Sequence, residues 1–85
     1  MASIKVYVDV NAKFSKDGKL IPLSLTWTDG SEYKIDRIKD VRRAANIRAG
    51  GVGWRYTCVI CGRESHLYYE DSNKWFVERR SDNID

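Results

Sequence analysis

Cys58-Val59-Ile60-Cys61 sets two thiols at the spacing of a zinc knuckle or a dithiol redox pair, with Glu64 and His66 close behind. A knuckle needs four ligands, and outside the carboxylates the chain offers only these two thiols and one histidine. A redox pair sits at a helix start beside a βαβ unit. The residues around this pair instead alternate as in a strand, where side chains three apart point to opposite faces about 10 Å apart. Two sulfurs so placed cannot share a metal, which leaves one core thiol and one surface thiol. Cys61, His66 and Glu64 also combine a thiol, an imidazole and a carboxylate, the parts of an activated nucleophile. No oxyanion hole or pocket is evident beside them, so the sequence predicts no enzyme, no cofactor and no metal.

The other chemistry-bearing feature is basic. Residues 37–69 hold Arg37, Lys39, Arg42, Arg43, Arg48, Arg55 and Arg63 against Asp40 and Glu64, a net +5 within a chain of net +3. Residues 1–36 are neutral and residues 70–85 carry −2. Arg42, Arg43, Arg48 and Arg55 suit phosphates, and Trp54 or Tyr68 suits stacking on unpaired bases. The same arginines equally suit cross-strand carboxylates and the covering of aromatic rings. Gly50-Gly51-Val52-Gly53 lacks the Gly-Lys-Ser/Thr of a phosphate loop and reads as a connection.

The elements that must hold these residues follow from periodicity. Ile4, Val6, Val8, Val10, Ala12 and Phe14 fall at every second position, a half-buried strand. After a turn at Lys16-Asp17-Gly18-Lys19, Ile21, Leu23, Leu25 and Trp27 make the apolar face of a second strand, with Pro22 near its start. A two-residue loop at Asp29-Gly30 would set Glu32 and Lys34 against that face. A three-residue loop, Thr28-Asp29-Gly30, pairs Leu25 with Tyr33 and Leu23 with Ile35 instead, and is preferred. Trp54, Tyr56, Cys58 and Ile60 alternate again, and a turn centred on Gly62-Arg63 pairs Cys58 with Leu67, Tyr56 with Tyr69 and Cys61 with Glu64. Asp71-Ser72-Asn73 turns into a last strand whose Trp75 and Val77 share a face with Tyr69 and Leu67.

Asp40–Ala49 reads as an irregular strand, with a short helix capped by Asp40 as the alternative, which would make the fold α+β. The expected fold is all-β: one antiparallel meander of six or seven strands over residues 1–80, curled into a small barrel or two-sheet sandwich. Residues 81–85 read as a frayed tail. No run of about 18 apolar residues is present. Two cysteines make no disulfide framework, so a cytoplasmic protein with reduced thiols and no membrane association is expected.

Trp27-Thr28-Asp29-Gly30, Tyr33, Ile35-Asp36-Arg37-Ile38, Gly50-Gly51, Gly53, Arg55-Tyr56 and Trp75-Phe76-Val77-Glu78 together resemble a group of small uncharacterised bacterial all-β proteins, over most of residues 4–79. That resemblance implies an intracellular bacterial chain and carries over no functional residue. The expected role is a small non-enzymatic binding module for protein interaction or self-association. Nucleic-acid binding through Arg42, Arg43, Arg48, Trp54, Arg55 and Tyr68 is the alternative.

Overall fold

The computed structural model describes residues 3–44 and 53–80, in seven strands and no helix. These are β1 (Ser3–Phe14), β2 (Leu20–Thr26), β3 (Glu32–Lys34), β4 (Arg37–Ala44), β5 (Gly53–Ile60), β6 (Arg63–Glu70) and β7 (Lys74–Arg80). All pairings are antiparallel, in one meander-like sheet of order β3-β2-β1-β7-β6-β5-β4 that curls into a half-barrel.

Two shared strands produce the curl. The first half of β1 pairs with β7, Ser3 to Val8, and its second half pairs with β2, Asp9 to Phe14. At the other end β3 runs into β4 through Ile35 and Asp36. The Ile35 N–H donates to the Leu23 carbonyl (2.9 Å), while the Asp36 N–H donates to the Val59 carbonyl (2.8 Å). The two edge strands are thus one run of chain that changes partner at a corner. The short helix at 40–49 is replaced by β4 as far as Ala44, because this stretch has β5 as a ladder partner. The strand is irregular, with Lys39 as the extra residue of a bulge between Ile38 and Asp40. Residues 45–49, the tail 81–85 and Arg48 lie outside the described residues.

The turns show one piece of chemistry used three times. Gly18, Gly30 and Asn73 each close a three-residue loop, with φ of 82°, 90° and 68°. The N–H of each donates back to the carbonyl of the residue before its loop, Ser15, Trp27 or Glu70, at 2.9 Å. A type I turn followed by a left-handed residue matches the strand twist, and Gly or Asn takes that position at least steric cost. Leu25 accordingly lies opposite Tyr33.

Three expectations are corrected. The β5–β6 turn is centred on Cys61-Gly62, both left-handed (φ 52° and 75°), a turn with positive φ at both central residues. Every pair shifts by two residues: Tyr56 faces Leu67, Cys58 faces Ser65 and His66 faces Thr57. A slip of two preserves the faces but removes Cys61 from Glu64. In β2 the extra residue of a bulge is Leu23, between Pro22 and Ser24. The bulge reverses the alternation, so Pro22 is fully buried while Leu23 is 40% exposed. On β1, Ile4 and Phe14, placed by alternation on the core face, are 48% and 72% exposed near the two ends of the strand.

The core inside the curl is Leu25, Ile35, Tyr56, Cys58 and Leu67, flanked by Val8, Val10, Trp75 and Val77. The Tyr56 hydroxyl donates to the Leu20 carbonyl at 2.7 Å, tying β5 to the start of β2 across the interior. A second apolar cluster, Tyr68 and Phe76 with Ala44, occupies the opposite face of the sheet.

Candidate interaction surface

The arginine-rich segment is divided by the pleat of β4 and β5. Arg42 lies opposite Arg55, which lies opposite Tyr68, then Phe76 and Tyr7, all on the outer face. Arg43 lies opposite Trp54, then Tyr69, Trp75 and Val8, on the inner face. The described candidates, Arg42, Arg43, Trp54, Arg55 and Tyr68, therefore do not form one basic patch.

Their charges are also engaged. The Arg42 Nε donates to the Asp40 carboxylate at 2.7 Å. Arg43 forks onto Asp71 at 2.9 and 3.3 Å and lies 5.2 Å from the Trp54 ring centre. Lys39 pairs with Glu64 at 2.9 Å. Arg55 makes none of these contacts, and its Nε is buried without a hydrogen-bond partner. Tyr68 is 8% exposed, its ring stacked on Phe76 at 5.0 Å and 5°, so that face is taken before any base arrives.

The thiols are separated. Cys58 is fully buried, and burial pushes its pKa up to about 11, which keeps it a thiol at neutral pH. Cys61 is exposed in its turn, away from His66. Among the described residues no group of three or more His, Cys, Asp or Glu is placed to hold a metal ion, and no helix is long and apolar enough to cross a membrane.

The sequence reading missed a charged centre on the outer face. The Glu70 carboxylate accepts from Lys5 Nζ (2.8 Å), the Tyr7 hydroxyl (3.1 Å) and the Ser72 hydroxyl (2.6 Å). Lys5 Nζ also lies 4.9 Å from the Phe76 ring centre. The Lys5 hydrogen bond, then that of Ser72, holds the Glu70 carboxyl down at about 2. Only the register reveals this group, since 65 residues separate its ion pair.

A depressed folded-state pKa stabilises fully above the ordinary carboxyl value and is lost as pH falls toward the folded value. Glu70→Gln should therefore lower the urea midpoint at pH 7 and flatten its fall between about pH 4.5 and about pH 2. Asp29, lowered by the Ser31 N–H, and Glu64, lowered by Lys39, add to the slope that remains. Urea titrations at pH 7, 4 and 2.5 check this; parallel acid profiles for the two proteins would count against it.

Among the described residues the exposed large apolar side chains are Ile4, Tyr7, Phe14, Leu23, Tyr33, Val41 and Trp54. Of these, Phe14 pairs with Leu20 and Val41 with Tyr56, the two residues that the Tyr56–Leu20 bond joins, and Trp54 lies two residues from Tyr56 on the same strand face. Phe14, Val41 and Trp54 are 72%, 44% and 39% exposed. A separate open groove of about 480 Å³ runs between Tyr7–Val10 of β1 and Asn73–Trp75 at the start of β7.

Comparison with protein families, with curated proteins and with solved structures finds no match.

Proposed function

We propose that the chain is a small non-enzymatic binding module that works through protein interaction or self-association. The observation that carries this reading is the number of large apolar side chains left exposed on so small a fold, Phe14 at 72% foremost, with Val41 and Trp54 on the strands joined to β2 by the Tyr56–Leu20 bond. Contiguous exposed apolar surface favours association with another apolar surface. The arginines add specificity rather than a phosphate track: Arg42 and Arg43 already hold carboxylates, and Arg43 covers Trp54. Two unpaired thiols, Cys58 and Cys61, suit a reducing cytoplasm.

Nucleic-acid binding is the second reading, favoured by one observation: Trp54 keeps 39% exposure with the Arg43 guanidinium 5.2 Å from its ring centre. Light scattering over a concentration series separates the two when joined to oligonucleotide titrations read by tryptophan fluorescence. The expected outcome is a mass that rises with concentration and no salt-dependent quenching at low ionic strength. A constant monomer mass with quenching that vanishes on adding salt supports the nucleic-acid reading instead.

A further inference from the structure

Every strand edge without a ladder partner offers backbone donors and acceptors to another chain, and folds guard such edges with charge, bulges or brevity. The two outermost strands are guarded in this way. β3 is three residues long and carries Glu32 and Lys34. β4 is bulged at Lys39 and carries Arg37, Arg42 and Arg43.

The second half of β1 differs. From Asp9 to Phe14 it pairs with β2 on one side, while on the other side the ladder to β7 ends at the Val8–Trp75 pair, and Asn73 and Lys74 line only the groove beside Asp9 and Val10. It has no proline, the extra residue of the local bulge belongs to β2, and its two charges, Asp9 and Lys13, are of opposite sign. It ends in Phe14, 72% exposed, and it opens onto the groove beside Val8, Asp9 and Val10.

We propose that this edge pairs antiparallel with the same edge of a second copy, about a two-fold axis through Ala12. The proposal rests on the binding-module reading and names its partner. A two-fold pairing sets even residues against even residues, so the axis can pass through Asn11, Ala12 or Lys13. An axis at Asn11 would place Phe14 of the second copy beside Val8, where Trp75 already sits. An axis at Lys13 would set two ammonium groups against each other. The axis at Ala12 avoids both.

That register is self-complementary. Val10 meets Phe14 of the second copy, an aromatic against a β-branched side chain, and the small Ala12 side chains meet on the axis. On the other face Lys13 of the second copy meets Asn11 and lies diagonal to Asp9, opposite in charge. Each contact occurs twice by symmetry.

The test begins in a Cys61→Ser background, which removes the exposed native thiol. Under oxidised glutathione, Ala12→Cys should give a disulfide-linked dimer, while Asn11→Cys and Lys13→Cys should not. Without cross-linking, sedimentation equilibrium should show Phe14→Lys raising the dimer dissociation constant about tenfold or more. Asn11→Glu, which faces Lys13 of the second copy, should lower it about two- to thirtyfold. Both positions are exposed, so circular dichroism and urea midpoints should stay near the parent values. Cross-linking at Asn11 in place of Ala12, or association indifferent to Phe14→Lys, overturns the β1 interface and leaves the binding-module reading standing. A chain monomeric at every concentration removes both.

Discussion

Phe76→Ala should cost about 3–5 kcal/mol of folding stability, the range for emptying a buried phenylalanine site. Phe76 is fully buried although alternation puts it on the face opposite the main core. Tyr68 stacks on it at 5.0 Å, Tyr7 meets it edge-on at 5.8 Å, and Lys5 lies 4.9 Å from the ring centre. Removing the ring empties the middle of a row spanning β1, β7 and β6, and takes the aromatic support from beneath the Lys5–Glu70 pair. A chain of this size loses about 4–8 °C in Tm per kcal/mol, so the midpoint should fall by more than about 12 °C. Phe14→Ala is the control, with the same atoms removed from a side chain 72% exposed and an expected change within about 0.5 kcal/mol. Urea titrations of both variants decide the matter; equal midpoints would show that the outer cluster holds nothing together.

The same residue marks where sequence reasoning stops. Period-two burial identifies Trp75 and Val77 as inward, and both pack against the main core. It then treats Phe76 as solvent-facing, because a half-buried strand has one wet side. The missed signal was spread over three strands: Tyr7, Tyr68 and Phe76 all fall on non-core positions, and only the register puts them in one row. Local chemistry was legible wherever a single residue governs the backbone. The loops ending at Gly18 and Gly30 follow from Asp-Gly, and the Leu25–Tyr33 pairing follows from the loop length. The β5–β6 register slipped because Cys61 adopts a left-handed φ that thiols seldom take, so the turn begins one residue earlier than Gly62 suggests. Leu23 escaped because a bulge depends on the partner strand, which β2 alone does not encode.

The arginine cluster shows the same division between composition and placement. Composition reports +5 in residues 37–69 but not that β4 sends Arg42 and Arg43 to opposite faces. Their carboxylate partners are of two kinds. Asp40 is two residues from Arg42 and readable as a neighbour on one strand face; Asp71 lies 28 residues from Arg43 and reaches it only through the β6–β7 turn.

Gly53→Ala should be the most damaging single-methyl change among the glycines described. Gly53 is buried in β5 between Ala44 of β4 and Glu70 of β6, and its φ lies outside the left-handed region. A Cβ there would fall onto the Tyr69 carbonyl oxygen and stand 3.0 Å from Glu70 Cα, both backbone atoms of the adjacent strand. Backbone cannot rotate aside as a side chain can, so β5 and β6 must part locally. Overpacking of this kind costs about 1–3 kcal/mol and more where the neighbour is fixed, which places the expected loss above about 2 kcal/mol. Gly18→Ala isolates the other way a glycine matters: its φ is 82° with nothing within 4 Å of the new methyl, so the loss should be about 1 kcal/mol from backbone strain alone. Displacing Glu70 should also loosen its bonds to Lys5 and Ser72, so Gly53→Ala should flatten the acid profile as Glu70→Gln does, and Gly18→Ala should not. Urea midpoints at pH 7 and pH 2.5 test both parts. If Gly53→Ala matches Gly18→Ala at both pH values, the close approach of β5 to β6 is not what requires glycine at this position.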